Sequence, residues 1–357
     1  MSNTIHIAVI CDEGYVIPSI TMLTSAYHNK KSGHNYVIHV LGDNISEFAQ
    51  RKFKELEQPD FKLQLYPCSA ERYANINIPK EASFNHVTMV KCELPELLPQ
   101  VDKVLLLDGD ILVTGDLAEL YNTDLGNNVV AAVRELIGEH KKLHTLIGTS
   151  HYFNAGVMLL NLKTMREEKL GEKIIQTKLQ APPTWEFGEQ DPYNVVCQGR
   201  THFLHPRWNF LSTMIWHDIQ QIPISAYNDF YHTSYASYTE MEADAIIHHF
   251  AWLKPWKNNT MRHTALWQKY HNLSPLRNTS LENNPNYPPR PLHLARRFKH
   301  DIRILGVLPL LRVNTTPSAT RIRLLGLPFF KIKKQENLIQ YLLFHFIPLF
   351  TIKIKRI

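Results

Sequence analysis

The sequence predicts an α/β domain with a mainly parallel sheet. Over residues 5–134, short apolar segments alternate with segments whose apolar residues recur at helical spacing. An alternating order of strands and helices places successive strands in parallel, with helices covering the sheet. A hydrophobic content of 44% over 357 residues is enough for one large core and an appendage.

The elements follow in chain order. A first strand over residues 5–11 ends in a turn at Asp12–Tyr15. The pattern then predicts helices over 16–30, 45–58 and 87–99, and strands over 35–46, 61–68, 103–107 and 127–136. Further along, residues 151–168 predict a strand that turns into a helix, and residues 186–199 predict a loop that leads into a helix.

One strand carries the first functional signal. The apolar run Val104–Leu107 stops at Asp108 and Asp110, which are separated by Gly109. Residues i and i+2 of a strand lie on the same side, so both carboxylates would face one point. In an open α/β sheet, ligands bind at such a point, beyond the carboxyl ends of the strands. Two convergent carboxylates favour Mg²⁺ or Mn²⁺, whereas a solvated turn is the other interpretation of Asp-Gly-Asp.

Composition argues against several classes of protein. The cysteines Cys11, Cys68, Cys92 and Cys197 are scattered and form no Cys-x-x-Cys pair. This pattern suits a reducing compartment and argues against a disulfide scaffold or a zinc cluster. We expect no secretory signal, because no basic segment precedes an apolar run at the N-terminus. No uncharged apolar stretch reaches the roughly 18 residues of a membrane-spanning helix.

Positive charge is concentrated at the C-terminus. The net charge is +6, but residues 290–357 hold fourteen Lys and Arg against two acids, Asp301 and Glu336. That segment therefore sums to +12, and residues 1–289 sum to −6. A basic segment of this kind indicates an anionic membrane surface or nucleic acid. We expect no nucleic acid, because the basic residues form no recognisable binding motif.

The change in composition predicts a division into domains. We expect an α/β domain over residues 1–276, an Asn- and Pro-rich linker over 277–291, and a basic, apolar region over 292–357. The last region contains a weak repeat, in which an apolar run with one proline ends in basic residues, at Pro309, Pro328 and Pro348. Two interpretations stay open, a membrane-associating segment and a small β-rich subdomain.

Four segments in order resemble those of glycosyltransferase family 8, which includes bacterial lipopolysaccharide galactosyl- and glucosyltransferases and glycogenin. They are LLLDGDILV, YFNAGVMLLNL, EQDPYN and IIHHFAWLKPW, and the resemblance covers roughly residues 5–275. The resemblance implies the GT-A fold, a Rossmann-like sheet flanked by helices, and an enzyme that uses a UDP-sugar.

The resemblance also implies roles for the matching residues. Asp108 and Asp110 would bind Mn²⁺ or Mg²⁺ with His249 as the third ligand, and the adjacent His248 is the alternative. Residues matched to contacts with the nucleotide sugar are Asp12, Tyr15, Lys91, Asp108, Asp110, Glu135 and Lys254. Residues matched to the surroundings of the donor sugar and to catalysis are Asn154, Glu189, Gln190 and Asp191.

The chain departs from the family pattern at three places. Lys91 stands where many members have arginine, which keeps the charge and loses the bidentate fork. Glu189 replaces the usual aspartate and is one methylene longer, which bears on sugar selectivity. The block that contains His249 and Lys254 is one residue short and has Trp252 where glycine is usual, so we expect this loop to follow a different course.

The expected activity is a metal-dependent, retaining transfer of glucose or galactose from a UDP-sugar to a lipopolysaccharide, lipooligosaccharide or other surface glycan. Retention allows a double displacement with Glu189 or Asp191 as the nucleophile. It also allows a front-face reaction in which the amide oxygen of Gln190 stabilises the reacting centre, and we favour this route. The resemblance and the basic tail together predict a cytoplasmic enzyme, peripheral on the inner membrane.

Two other functions stay open at this point. One is a glycogenin-like or polysaccharide-priming transferase, which the basic tail disfavours. The other is a non-catalytic, membrane-associated protein that binds a sugar nucleotide. Release of UDP from a UDP-hexose in the presence of Mn²⁺ separates an enzyme from a binding protein.

Overall fold

The structure is a computed structural model, and it describes part of the chain in detail. The described residues are 4–76, 86–212, 222–251, 253–257, 262–279 and six strands between residues 298 and 353. The chain forms two compact units, Met1–Tyr287 and Pro288–Ile357. Trp252 and most of the predicted linker lie outside the described residues, so the expected course of the loop at Trp252 stays a prediction.

The first unit contains the predicted alternation of strands and helices. Its strands are β1 (Thr4–Asp12), β2 (Asn35–Asp43), β3 (Phe61–Cys68), β4 (Lys103–Leu107), β5 (Ile111–Val113), β6 (Val130–Arg134), β7 (Phe153–Asn161), β8 (Thr201–Phe203) and β9 (Ile247–His249). Its α-helices are α1 (Val16–Asn29), α2 (Glu47–Lys54), α3 (Leu94–Leu97), α4 (Ala118–Tyr121), α5 (Leu136–His140), α6 (Leu143–Ile147), α7 (Leu162–Glu167), α8 (Leu170–Leu179), α9 (Gln190–Val196), α10 (Ile224–Tyr231), α11 (Tyr238–Asp244) and α12 (Thr264–Leu273).

Seven of these strands form one sheet in the order β3-β2-β1-β4-β7-β6-β8. The pairs β1–β2, β2–β3, β1–β4 and β6–β8 are parallel, and β7 runs antiparallel to both β4 and β6. The predicted mainly parallel sheet is therefore confirmed, and the reversal at β7 is an addition to the prediction.

The segment 87–99 differs from its prediction. Instead of one helix, residues His86–Glu93 form a 3-10 helix, and α3 is a separate short helix. Pro95 lies in the first turn of α3, where its missing N–H leaves no intrahelical hydrogen bond unmade. A continuous α-helix through this proline would lose a backbone hydrogen bond, so the segment divides there.

The central sheet packs apolar side chains on both faces. In β4, Leu105 and Leu107 belong to one hydrophobic cluster, whereas Val104 and Leu106 belong to a second cluster across the sheet. All four side chains are fully buried. A strand covered on both faces has a continuous apolar run rather than an alternating one, which explains the sequence of β4.

A second, two-stranded sheet joins distant parts of the chain. Strands β5 and β9 pair antiparallel, with Ile111 opposite His249 and Val113 opposite Ile247. The amide of Phe250 also donates to the carbonyl oxygen of Asp110 at 2.9 Å. This pairing places the histidine-containing segment directly beside the end of β4.

The side chain of the buried His39 links three neighbouring strands through hydrogen bonds. The Nε2 atom of His39 lies 3.0 Å from Nδ1 of His6, and its Nδ1 atom lies 3.2 Å from the hydroxyl of Tyr66. That hydroxyl donates to Gln64, so His39 donates to Tyr66 from Nδ1 and accepts from His6 at Nε2. His39 has no free lone pair to take a proton, and burial lowers its pKa to about 4, with His6 adding to the effect.

The second unit is a six-stranded antiparallel sheet whose strands follow one another in chain order. They are β10 (Phe298–Ile304), β11 (Leu308–Thr316), β12 (Ala319–Leu324), β13 (Leu327–Gln335), β14 (Leu338–Leu343) and β15 (Ile347–Lys353). This is the β-rich arrangement of the two that the sequence left open, and membrane association stays a prediction. Among the residues that the structure describes, no helix has both the length and the apolarity to cross a membrane.

The buried His39 should make the stability of the protein depend on pH. Below about pH 6.5 the unfolded chain protonates this histidine, whereas the folded chain does so only near pH 4. Stability contributed by His39 is therefore lost as the pH falls between these values. We expect the free energy of unfolding of wild type to be about 2 kcal/mol lower at pH 5 than at pH 7.5 because of this histidine. The His39→Gln variant should not show this part of the loss.

Urea denaturation at the two pH values measures this difference. His28→Gln makes the same substitution at an exposed position and serves as the control. Equal pH dependence in wild type and His39→Gln would contradict the assignment.

Candidate active site

A cavity of about 530 Å³ opens at the carboxyl ends of β1 and β4. Most predicted site residues line it: Asp12, Tyr15, Lys91, Asp108, Asp110, Glu135, Asn154, Glu189, Gln190, His249 and Lys254. Asp191 and His248 are not among the residues that line it. The structure thus brings together side chains that are up to 242 residues apart in the chain, from Asp12 to Lys254.

Asp108 and Asp110 converge, but for a different reason than predicted. Strand β4 ends at Leu107, and Asp108–Gly109–Asp110 is a turn that leads into β5. The two carboxylates therefore do not share the face of one strand. A side chain on Gly109 would meet Ser19 of α1, because a Cβ atom there would lie 2.4 Å from the Ser19 hydroxyl. The turn requires glycine because α1 packs against it.

His249 completes a cluster with the two carboxylates. One potential ligand atom from each of Asp108, Asp110 and His249 can be chosen so that all lie within 4.8 Å of one another. The Nε2 atom of His249 is 3.3 Å from a carboxylate oxygen of Asp110. His248 instead lies 3.3 Å from the hydroxyl of Ser212, and burial lowers its pKa to about 4. Of the two adjacent histidines, the structure places His249 next to the carboxylates.

Asn209 holds the His249 ring in place. The Nδ1 atom of His249 is 2.9 Å from the side-chain amide oxygen of Asn209. The side-chain amide nitrogen of Asn209 donates to the amide oxygen of Asn154 at 2.9 Å. Because that oxygen is an acceptor, Nδ1 carries the proton, and the lone pair of Nε2 faces the carboxylates. Glycine at position 156 leaves space for the ring, because a Cβ atom there would lie only 2.3 Å from it.

Each carboxylate of the pair has its own ammonium group. The Nζ atom of Lys91 is 2.7 Å from Asp108 and 2.7 Å from Glu189, and Lys254 pairs with Asp110. Burial alone would lower the pKa of Lys91, but Asp108 and Glu189 raise it, so its ammonium stays charged. Burial likewise acts to raise the pKa of Asp110, but Lys254 holds that pKa below its ordinary value.

The donor set fits a divalent cation such as Mn²⁺ or Mg²⁺. The cluster contains the three carboxylates of Asp108, Asp110 and Glu189. The two ammonium groups of Lys91 and Lys254 lie against them, which leaves an excess of one negative charge. Burial raises the pKa of Asp108, and the Asp110 carboxylate adds to this, so a further positive charge is favoured beside it. Two carboxylates and an imidazole are ligands that suit Mn²⁺ or Mg²⁺. They differ from the sulfur-rich ligand set of a zinc site.

A hydrogen-bond network forms the other side of the cavity. Gln190 accepts from the amide of Ala155 at 2.9 Å and donates to Glu135 at 3.2 Å and to the hydroxyl of Tyr152 at 3.0 Å. Asn154 donates to the same Glu135 carboxylate at 3.0 Å. Burial raises the pKa of Glu135, which these two donors partly offset. Gln190 and Asn154 therefore have fixed orientations.

Asp191 lies behind this network and not in the cavity. One of its oxygens accepts from the Tyr152 hydroxyl at 2.5 Å, and the other accepts from the amide of Phe187 at 2.9 Å. Its contacts are those of a side chain that positions Tyr152 and the loop before α9. The position of Asp191 does not support its predicted part as a nucleophile, whereas Glu189 does line the cavity.

Sequence reasoning missed several residues of the site. Asn209 lies in a segment rich in aromatic residues for which the sequence predicts no individual site residue, and Tyr152 has no predicted role beyond its place as the first residue of YFNAGVMLLNL. Lys141 and Phe187 also line the cavity. Asn209 follows Trp208 on a loop with no periodicity, so only its bond to His249 identifies it. A buried asparagine has no signal in a single sequence.

Comparison with known proteins agrees with this geometry. The model of the family described as Glycosyl transferase family 8 matches residues 6–260. A putative glycosyltransferase of Haemophilus influenzae is 32% identical over 143 residues, which span 38% of this chain and 43% of that protein's length. A lipopolysaccharide 1,2-glucosyltransferase of Escherichia coli is 23% identical over 305 residues, with 84% of this chain and 86% of that protein covered.

A solved structure shows the same fold. The galactosyltransferase LgtC, crystallised with donor and acceptor sugar analogues, superposes with a TM-score of 0.62 at 23% identity. The match covers 76% of this chain and 96% of that one, and it confirms the predicted GT-A fold. With the family model matching well over half of the chain, the protein belongs to glycosyltransferase family 8.

Proposed function

We propose that the protein is a metal-dependent, retaining hexosyltransferase. It moves glucose or galactose from a UDP-sugar to a lipopolysaccharide, lipooligosaccharide or other surface glycan. The observation that carries this proposal is the convergence of Asp108, Asp110 and His249 in a cavity whose other side presents Asn154 and Gln190. The names of the glucosyl- and galactosyltransferases to which the chain is similar support the hexose and the acceptor class.

The cavity offers a separate part for each portion of the donor. Asp12 and Tyr15 lie at the end of β1, where the amide of Tyr15 donates to the Asp12 carboxylate at 3.0 Å and fixes the turn. We assign the uracil and ribose to this turn. Asp108, Asp110 and His249 would hold the cation, which as a Lewis acid would offset the charge that develops on the leaving diphosphate. Lys254 supplies a second positive charge beside Asp110.

The contacts of the carboxylates favour the front-face mechanism. Glu189 is paired with the Lys91 ammonium at 2.7 Å, which stabilises its charge and reduces its reactivity as a nucleophile. Gln190 is fixed by three hydrogen bonds, and its oxygen, with two lone pairs, has one left beyond its bond to Ala155. We assign that oxygen to the anomeric centre. The acceptor hydroxyl would pass its proton to the departing diphosphate on the same face of the sugar.

We assign the transfer chemistry to residues 1–276 and propose that the enzyme works at the cytoplasmic face of the inner membrane. The first statement follows from the site residues, which all lie between Asp12 and Lys254. The second follows from the acceptor class, since a lipopolysaccharide core is carried by a lipid. The predicted linker over 277–291 would then join the transferase to the basic region.

Removal of one cation ligand should abolish both metal binding and transfer. A cation present at a hundredfold excess over its Kd stabilises a protein by about 2.7 kcal/mol, and Asp110→Asn should lose this gain. Wild type with UDP-glucose or UDP-galactose and Mn²⁺ should release UDP slowly, and both EDTA and Asp110→Asn should stop this release. Thermal unfolding with and without Mn²⁺ and a UDP assay measure the two effects.

Asp229→Asn makes the same change at an exposed position and should behave as wild type. If Mn²⁺ neither raises the melting temperature of wild type nor supports release of UDP from any UDP-hexose, the proposed function is wrong.

Asn209→Ala should weaken the binding of Mn²⁺ by about tenfold to a hundredfold, because the imidazole loses the acceptor that fixes its tautomer. Asn209→Asp keeps an acceptor at Nδ1 and should retain most of the affinity. Titration of Mn²⁺ followed by electron paramagnetic resonance measures this without turnover. An equal loss in both variants would mean that Asn209 acts through packing rather than through the histidine.

Substitutions at the sugar end should separate the two mechanisms. In the front-face reaction, Gln190→Ala should lower kcat by about a hundredfold, and Glu189→Gln should lower it less. Gln268→Ala, on the exposed side of α12, is the control and should leave kcat unchanged.

Two outcomes would change these assignments. If Glu189→Gln abolishes transfer while Mn²⁺ still binds, a double displacement through Glu189 replaces the front-face mechanism. If both variants keep wild-type turnover, the donor sugar lies elsewhere.

A further inference from the structure

The strand register of the second unit sorts residues by chemical type. Residues paired across antiparallel strands lie on the same face, and successive residues of a strand lie on opposite faces. One row of the sheet pairs Asn314 with Arg321 and Arg321 with Lys331. The neighbouring row pairs Val313 with Ile322 and continues to Phe330. The first row is polar and basic, and the second is apolar.

This alternation extends across the sheet and defines a basic face. Its Lys and Arg positions, taken from the register, are Lys299, Arg303, Arg312, Arg321, Arg323, Lys331, Lys333 and Lys353. Asp301 is the acidic residue paired into this face, opposite Arg312. The remaining positions are divided between polar residues and apolar ones. The polar positions are Asn314, Thr316, Gln335, Gln340 and Thr351, and the apolar positions are Ala319, Leu338, Leu342, Pro309, Pro328 and Pro348.

The other face is apolar. It includes residues from every strand, among them Ile302, Val313, Ile322, Phe330, Tyr341 and Ile352. Lys334, paired with Ile339, is a charged exception. A sheet with one apolar face packs that face against other apolar groups, because leaving it in water is costly. Burial of unpaired charges is far more costly than burial of apolar groups, so the basic positions favour a polar partner.

Cationic positions recur along the basic face because three hairpins of the sheet have the same pairing pattern. The hairpins β10–β11, β12–β13 and β14–β15 each have a shift in register at the same place, next to Pro309, Pro328 and Pro348. A proline in a strand is tolerated at such a bulge, where no ladder hydrogen bond is required. The weak repeat seen in the sequence is therefore a structural repeat that places cations at regular intervals on one face.

We propose that the basic face binds the phosphate-bearing surface of an anionic lipid bilayer. This proposal rests on the proposed function in one respect: the proposed acceptor is carried by a lipid, which gives the enzyme a reason to bind a bilayer. Charge complementarity supports it, since the face has eight cationic positions and one acid, and each cation near an anionic surface adds to the attraction. A repeating array of charges matches a surface of many equivalent phosphates better than one discrete ligand.

The distribution of aromatic residues argues against nucleic acid. Proteins that bind single strands stack bases on aromatic side chains beside their basic groups. Within the strands that the structure describes here, the aromatic residues in the register are on the apolar face: Phe298, His300, Phe330, Tyr341 and Phe350. Phe329 is the extra residue of a bulge and belongs to no pair.

Co-sedimentation of the full chain with vesicles tests the proposal. We expect binding to vesicles of phosphatidylglycerol and phosphatidylcholine, at least about tenfold weaker binding to phosphatidylcholine alone, and release as NaCl is raised. Arg321→Glu with Lys331→Glu reverses two adjacent charges of the basic face and should lower binding at least about tenfold. The double neutralisation to glutamine should give an intermediate loss.

The matched control is Lys163→Glu with Lys173→Glu, which makes the same change of net charge at exposed positions of α7 and α8. It should bind vesicles as wild type does. Circular dichroism establishes that each variant is folded, and if the glutamate variant does not fold, the glutamine variant decides. Equal binding to neutral and anionic vesicles, or an equal loss in the control, would overturn the proposal. So would binding of single-stranded RNA without binding of vesicles.

This test and that of the proposed function fail separately. Vesicle binding is measured without donor or Mn²⁺, and release of UDP is measured without lipid. The charge-reversed variant should retain wild-type release of UDP, so a loss confined to vesicle binding belongs to the basic face.

Discussion

The site depends on the register of one short antiparallel pairing. Strands β5 and β9 each contain three residues, and they pair so that Ile111 lies opposite His249. A slip of one residue would exchange the faces of His248 and His249 and remove the imidazole from the carboxylates. Phe210 fixes this register from the far side, since its amide donates to the carbonyl of Ile247 at 2.9 Å and its carbonyl accepts from the amide of His249 at 2.8 Å.

Electrostatics explains why the polar groups around this pairing need so many partners. A carboxylate at this depth is costly unless opposite charges and hydrogen bonds compensate for the lost water. Asp108 and Asp110 are each paired with an ammonium group, and the imidazole is held by Asn209. The cluster keeps a negative excess in the absence of a cation. Binding of a divalent ion would therefore remove repulsion that the folded protein already contains, and the site is organised before the ion arrives.

Sequence reasoning predicted the parts of the molecule that follow from local patterns. Strand β3 has the predicted bounds, and the buried run of β4 ends at the carboxylates as expected. The choice between His248 and His249 could not be made, because it depends on a pairing between segments more than 130 residues apart. The resemblance grouped Asp191 with Glu189 and Gln190, but the start of α9 directs their side chains to different surroundings. Asn209 was missed for the same reason, because its role depends on its contact with His249, which is distant in the sequence.

Two of the three departures from the family pattern, Lys91 and Glu189, meet in one ion pair. Lys91 has three N–H donors, and its contacts are Asp108 at 2.7 Å, Glu189 at 2.7 Å and the carbonyl of Ala155 at 3.2 Å. A lysine lacks the fork of an arginine, and it approaches each partner as a single point of charge. A glutamate is one methylene longer than an aspartate and extends its carboxylate correspondingly further from the start of α9. Because Lys91 also contacts Asp108, this ion pair links the residues proposed to hold the sugar to those proposed to hold the cation. The two departures are therefore parts of one contact.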